Sequence, residues 1–176
     1  GLGDISTGQV RTLTPWRTNL SGGTSIGIKA SWSPDGSRIA YIEGTPLPRL
    51  HVLDVDTGND RIIARGRAPV WSPDGHRIAF AWRDRTLAVI DVDGTNLHVV
   101  DPRARDPYFF GAAWSPRGHS IAYRLPFIGD ELWMAHPDGT HRHRLTRAAR
   151  NEEIGPIYWA PDGQTILYTH MIQGGD

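Results

Sequence analysis

Residues 32–41 read WSPDGSRIAY, residues 71–80 WSPDGHRIAF, residues 114–123 WSPRGHSIAY and residues 159–168 WAPDGQTILY. Four ten-residue agreements in one chain mark an internal repeat. The tryptophans that open them, Trp32, Trp71, Trp114 and Trp159, stand 39, 43 and 45 residues apart. Ser-Pro-Asp-Gly suits a type I turn, with Ser at the first position, Pro pre-setting φ at the second and Gly at the fourth. A strand therefore ends at each tryptophan, and a second runs through Ile-Ala-Tyr. There Ile39 and Tyr41 alternate with Ala40, and Ile78 and Phe80 with Ala79, the period of a strand.

A second motif follows each hairpin. Residues 50–63 read LHVLDVDTGNDRII, residues 87–100 LAVIDVDGTNLHVV and residues 132–145 LWMAHPDGTHRHRL. Each is a pair of apolar strands joined by a turn built on Asp, Gly and Thr. One unit thus holds four strands in about forty residues, the size of a β-propeller blade. Residues 2–13, LGDISTGQVRTL, match the second motif, so the chain opens on the third and fourth strands of a blade. The sequence predicts one all-β propeller domain over 1–176: a half-blade at 1–14, blades at about 27–64, 67–101 and 110–146, and a half-blade at 155–172. The two half-blades sum to a fourth blade. No segment carries sustained helical periodicity, which excludes coiled coils and helical solenoids.

Closure has three solutions: a four-bladed ring within one chain, an eight-bladed homodimer whose chains complete each other's half-blades, or a piece of a larger propeller. Unpaired half-blades are disfavoured, because an open edge strand templates aggregation. Two-fold homodimers are the commonest oligomer, which gives the second solution weight.

Composition narrows the function classes. Lys+Arg and Asp+Glu both number 19, so the chain lacks the basic excess that nucleic acid or anionic lipid would demand. Cysteine is absent, which excludes disulfides, zinc-thiolate sites and thiol catalysis. No apolar run approaches the roughly 18 residues of a membrane helix.

The WSPDG-x-x-I-A-Y hairpin, followed by an apolar strand and a D-x-D-G-type turn, resembles the PD40 (WD40-like) repeats of TolB-like β-propellers. The resemblance runs from Leu2 to about Ile172. It implies the propeller fold, an extracytoplasmic location (periplasmic or secreted) and a protein-binding scaffold. Similar propellers also cap the active site of prolyl-oligopeptidase-like peptidases, so a fragment or accessory propeller of such an enzyme is the alternative. Two departures stand out. Family propellers usually have six or more blades, and Arg117 replaces the aspartate of the third turn.

No residue set points to catalysis, to a metal or to another cofactor. The repeated tryptophans are expected between blades, because aromatics bring large buried area, and Trp133 is expected in the core. The pairs Asp54/Asp56 and Asp91/Asp93 offer hard oxygens for calcium, but lack a distal glutamate and read as turn residues. His76 and His119 recur after a turn and are expected in water. His141 and His143 could share one strand face, yet no third ligand stands at metal spacing. No G-x-S-x-G elbow exists. The adjacent carboxylates Asp130-Glu131 and Glu152-Glu153 read as solvated loop charges, although two carboxylates across a cleft would suit glycoside hydrolysis.

Antiparallel alternation sorts the loops. The Ser-Pro-Asp-Gly and Asp-x-Asp-Gly turns share one face, regular and scaffold-like. The longer connections share the other, where function tends to sit. They comprise residues 14–27 with Trp16 and Arg17, residues 101–111 with Arg105, Tyr108, Phe109 and Phe110, the Trp82-Arg83-Asp84-Arg85 segment, and the segment with Phe127. Arg65, Arg67, Arg147 and Arg150 join them. Aromatics and arginines are enriched at interface hot spots. The partner-binding candidates are Trp16, Arg17, Arg67, Trp82, Arg83, Arg105, Tyr108, Phe109, Phe110 and Phe127. Phe109 and Phe110 could equally begin an innermost strand. The expected partner is a protein or peptide, with neither nucleic acid nor membrane insertion and with a homodimer possible.

Overall fold

The computed structural model describes residues 2–3, 7, 9–11, 30–44, 46–83, 85–105, 112–126, 130–149 and 152–172. They form antiparallel strands and turns, with no helix among them. The first blade is β3 (Ser31–Trp32), β4 (Arg38–Glu43), β5 (Arg49–Asp54) and the outer half of β6 (Asp60–Trp71). The second is the inner half of β6 with β7 (Arg77–Trp82), β8 (Thr86–Asp91) and β9 (His98–Arg105). The third is β10 (Ala112–Trp114), β11 (Ile121–Leu125), β12 (Glu131–Ala135) and β13 (His143–Arg147). Two hairpins flank them: β1 (Leu2–Gly3) with β2 (Val10–Arg11), and β14 (Glu152–Trp159) with β15 (Ile166–Ile172).

Three features depart from the expected blade plan. Strand β6 runs unbroken from the outer edge of one blade to the axis of the next. It bends at a register shift between Arg67 and Val70, where Ala68 adopts φ 51°, a bulge that redirects the strand. Strand β9 continues to Arg105, beyond the expected end at residue 101. Bulges opposite Thr86 and Leu87 carry it past Pro102, and a bulge spares the proline its missing donor. Finally, the terminal hairpins form two separate sheets among the described residues rather than one shared blade.

The turn motif holds itself together. In the first copy Asp35 accepts from the Ser33 hydroxyl (2.6 Å), the Ser37 hydroxyl (2.8 Å) and the Ser37 amide (3.1 Å), while Gly36 closes the turn at φ 72°. These bonds hold the Asp35 carboxyl down at about 2. At Asp74, burial raises the pKa, but bonds from Ser72, the His76 amide and Arg77 outweigh it, and the carboxyl also lies at about 2. A depressed folded pKa stabilises above the ordinary value of 3.8 and loses that contribution as pH falls towards 2. The melting temperature should therefore drop between pH 4 and pH 2, and Asp74→Asn should flatten that limb of a pH-resolved melting series.

Packing is between blades, as period-two strands with two covered faces require. Leu50, Val52, Trp71, Ile78 and Phe80 fill the layer between the first and second blades. Leu87, Val89, Trp114, Ile121 and Leu125 fill the next. Leu132, Ile154 and Ile157 fill the last, with Trp159 against them. One bond recurs across all three layers. The indole N–H of Trp71 donates to the Ser31 carbonyl (2.9 Å), that of Trp114 to Val70 (3.1 Å) and that of Trp159 to Ala113 (2.9 Å). Each tryptophan thus reaches back to the residue before its predecessor. The guanidiniums of Arg38 and Arg77 lie over the rings of Trp71 and Trp114 at 5.2 and 5.1 Å, within cation–π range. Ser120 occupies that position in the third copy, and a cavity of about 600 Å³ opens there beside Trp159 and Tyr168.

Buried polar groups add links between blades. The Tyr123 hydroxyl donates to Asp101 (2.8 Å), which also takes both guanidinium ends of Arg103. Burial, then the Asp101 contact, pushes the Tyr123 phenol up. Asp130 and Glu131, expected as solvated charges, are both buried. Asp130 accepts from Arg124 (3.0 Å) and from the Ile154 amide (2.8 Å), and Arg124 also donates to the Ile154 carbonyl (3.1 Å). Glu131 accepts from the Trp133 indole (2.8 Å) and pairs with Arg144 and Arg147. Arginines on neighbouring strands overturn the sequence reading, because a paired carboxylate can be buried where a lone one cannot.

Candidate functional site

The two faces differ in kind. On the turn face, the two turns of a blade are tied together: the Val55 amide donates to the Ser37 carbonyl and the Val92 amide to the His76 carbonyl, both at 2.9 Å. Successive blades approach each other there: a Cβ on Gly75, Gly118 or Gly163 would stand 3.7, 3.7 or 3.6 Å from Pro34, Pro73 or Pro116 of the preceding copy. Asp54 and Asp93 of the D-x-D pairs accept from the amide and hydroxyl of Thr57 and Thr95, and Asp91 accepts from Asn96. These oxygens serve the turns. His76 and His119 are exposed, as expected, and His141 stacks on His136 with ring centres 4.2 Å apart.

The opposite face carries a groove of about 610 Å³ between the first and second blades. Pro46, Leu47 and Pro48, from the β4–β5 loop, form one wall. Arg65 and Arg67 of β6 line the floor, and Arg83 and Arg85 of the β7–β8 turn line the far side. Gly66 makes the crossing possible. A Cβ there would stand 2.4 Å from Phe80 Cδ2 and 2.6 Å from the Ala81 carbonyl oxygen, so only glycine lets β6 lie this close to β7. The Gly66 amide donates to the Pro48 carbonyl (3.0 Å) and pins the Pro-Leu-Pro wall.

The β7–β8 turn is tight. Trp82 pairs with Thr86, and both Arg83 (φ 37°) and Arg85 (φ 66°) take left-handed backbone. That region costs a side-chain-bearing residue on the order of 1 kcal/mol or more. The arginines are thereby aimed into the groove at the expense of local strain. The Arg83 guanidinium lies 4.6 Å over the Trp82 ring. Among the described residues, none of Arg65, Arg67, Arg83 and Arg85 has a carboxylate partner within ion-pair range. Among the described residues, four guanidiniums without a carboxylate partner thus surround one concavity, a charge arrangement that suits anions.

A titratable cluster lies on the first blade, on the sheet face opposite the one that Leu50 and Val52 pack against the second blade. Buried His51 holds Asp60 at 3.1 Å through Nδ1, and Tyr41 donates to the same carboxylate at 2.7 Å. His51 Nε2 is buried without a hydrogen bond, 3.5 Å from Glu43. No serine or threonine hydroxyl is bonded to this histidine among the described residues.

Of the sequence candidates, Arg67 and Arg83 meet in the groove. Trp82, expected in a loop, is instead the last residue of β7, paired to Gly66 and packed half-buried on the core. The short turn lets the ladder run that far, so Trp82 supports Arg83 from below. Arg67 is likewise a strand residue. Arg105 ends β9 opposite Thr86. Trp16, Arg17, Tyr108, Phe109, Phe110 and Phe127 lie outside the described residues. Arg147 is consumed by Glu131 at 3.1 Å, and Trp133 is half-buried beneath Arg103 at 4.2 Å. The Pro46–Leu47–Pro48 wall is not among the sequence candidates. Its signal is an apolar residue set between two prolines in a loop.

No family model matches the sequence, and no curated protein matches it. Solved structures do. TolB from Acinetobacter baumannii superposes with a TM-score of 0.68 at 20% identity, over 85% of this chain and 39% of that one. The putative TolB from Agrobacterium tumefaciens gives 0.61 at 19%, over 82% and 59%. Dipeptidyl peptidase 4 from Porphyromonas gingivalis gives 0.65 at 14%, over 97% and 33%. The chain therefore spans about two-fifths to three-fifths of the length of the TolB structures it resembles. Together with the blade architecture, these likenesses establish a TolB-like β-propeller fold.

Proposed function

We propose that this chain is a non-catalytic binding module whose loop face engages a protein or peptide, with the groove of Arg65, Arg67, Arg83 and Arg85 beside Trp82 at its centre. The observation that carries the reading is the convergence, on one strained, glycine-dependent groove, of four arginines with no carboxylate partner among the described residues. Structure of that kind is costly to maintain and concentrates at functional sites. The absence of catalysis belongs to the same proposal. It is supported by carboxylates whose oxygens are committed to turns and to buried arginines. An extracytoplasmic setting also belongs to it, on the strength of the repeat resemblance.

The test is capture of partners from the native source with the intact chain and with Trp82→Ala/Arg83→Ala. The double variant should lose the captured partner while keeping its circular dichroism. Unchanged capture would remove the loop face from consideration. A second reading has its own support in the likeness to a peptidase structure across nearly the whole chain. In that reading the propeller serves a larger peptidase. A nucleophile elbow elsewhere in the parent gene, with peptidase activity in its full product, would favour it.

A further inference from the structure

The groove also indicates what its partner carries. We propose that it takes an extended acidic peptide segment, with carboxylates on alternate residues and an apolar side chain beside them. This rests on the binding-module reading above and names the chemistry of that site.

Three observations support it. Arg65 and Arg67 lie two apart on β6 and both line the groove, so they repeat at about 6.6–6.8 Å along the strand. An extended peptide presents every second side chain at the same repeat, and a Glu-x-Glu segment therefore meets both guanidiniums in register. Arg83 and Arg85 supply the facing charges, with Arg83 held over Trp82. The other wall is apolar: Leu47 is 64% exposed between Pro46 and Pro48, and a large exposed aliphatic between two prolines gives a flanking leucine a dry contact. A bare phosphate has no use for that wall. A nucleic acid needs a basic field wider than one groove on a chain of zero formal net charge.

The probe is Ac-Leu-Glu-Gly-Glu-Leu-NH2, titrated calorimetrically into the full chain at low salt and at 0.5 M salt. Its glutamine counterpart, pyrophosphate and a short single-stranded oligonucleotide serve as comparisons. The glutamate peptide should bind, weaken as salt screens the charges, and exceed the glutamine peptide by about tenfold or more, as lost charge-assisted bonds imply. Arg67→Gln/Arg85→Gln should lose about tenfold while melting like the parent. Arg117→Gln, on the turn face, should change binding by less than about twofold.

Equal binding of the glutamine peptide, or an equal loss in Arg117→Gln, would overturn the proposal. So would pyrophosphate or the oligonucleotide binding as tightly as the peptide, which would assign the groove to phosphate. If the glutamate peptide fails to bind while Trp82→Ala/Arg83→Ala still abolishes partner capture, the acidic-peptide inference is wrong and the binding-module reading stands.

Discussion

Trp114→Ala is expected to lower the free energy of unfolding by about 3–5 kcal/mol, the range for a large buried aromatic. Trp114 is buried between the second and third blades, donates to the Val70 carbonyl and carries Arg77 on its outer face. The alanine variant leaves a cavity in the layer, an unpaired carbonyl and an uncovered guanidinium. Blades bury little on their own, so stability in a repeat array is set largely by neighbour interfaces. The loss should therefore appear in denaturant unfolding as a lower midpoint, with the first two blades more protected in hydrogen exchange than the third. Trp114→Phe isolates the indole bond. It keeps most of the ring and should cost about 1–3 kcal/mol, the penalty of one stranded buried acceptor. Equal, small effects from both variants would mean that the recurring indole bond does not hold the blades together.

Asp130→Ala should be as damaging, at about 3–5 kcal/mol, because it strands a buried charge. The Arg124 and Asp130 side chains are 4% and 6% exposed. Between them they bind both the amide and the carbonyl of Ile154, so they clasp the β14–β15 hairpin to the third blade. The expected signature is local. Amide exchange at Ile154 and along β14 should accelerate before the first two blades respond. The double variant Arg124→Met/Asp130→Leu removes both charges and should recover much of the loss, since an apolar pair avoids the desolvation cost. A double variant as unstable as Asp130→Ala would place the importance in shape rather than in charge.

These two sites were unequally legible in the sequence. The tryptophans announce themselves through the repeat, and Trp71 and Trp114 are buried between blades as expected, whereas Trp159 is half-buried and Trp32 is 47% exposed, with no preceding blade among the described residues to cover it. Ten-residue agreement also marks the hairpins and the turns that join their strands. The clasp was invisible. Asp130 and Glu131 are adjacent acids near loops in the sequence, and only the approach of Arg124, Arg144 and Arg147 from other strands makes them interior. Trp82 was misplaced by a few residues for a local reason: Arg83 and Arg85 accept left-handed backbone, which sequence propensity argues against, so the turn is shorter than the sequence suggests. The arginines of the loop face were readable one by one. Their convergence depends on Gly66 crossing Phe80, a long-range contact with no local signature. The gap beside Trp159 had one, since Arg38 and Arg77 align with Ser120 and the missing cover follows from the alignment of the copies.

The proposed function makes one face of this propeller scaffold and the other the place of contact. Photo-crosslinking tests that division directly. A benzophenone amino acid is placed at Arg83 in one protein and at Asp56, an exposed residue of the turn face, in another. Both are irradiated in cells of the native source. The expected result is a discrete adduct from position 83 and none from position 56. An adduct from position 56 alone, or equal adducts from both, would contradict the assignment of function to the arginine-lined loop face.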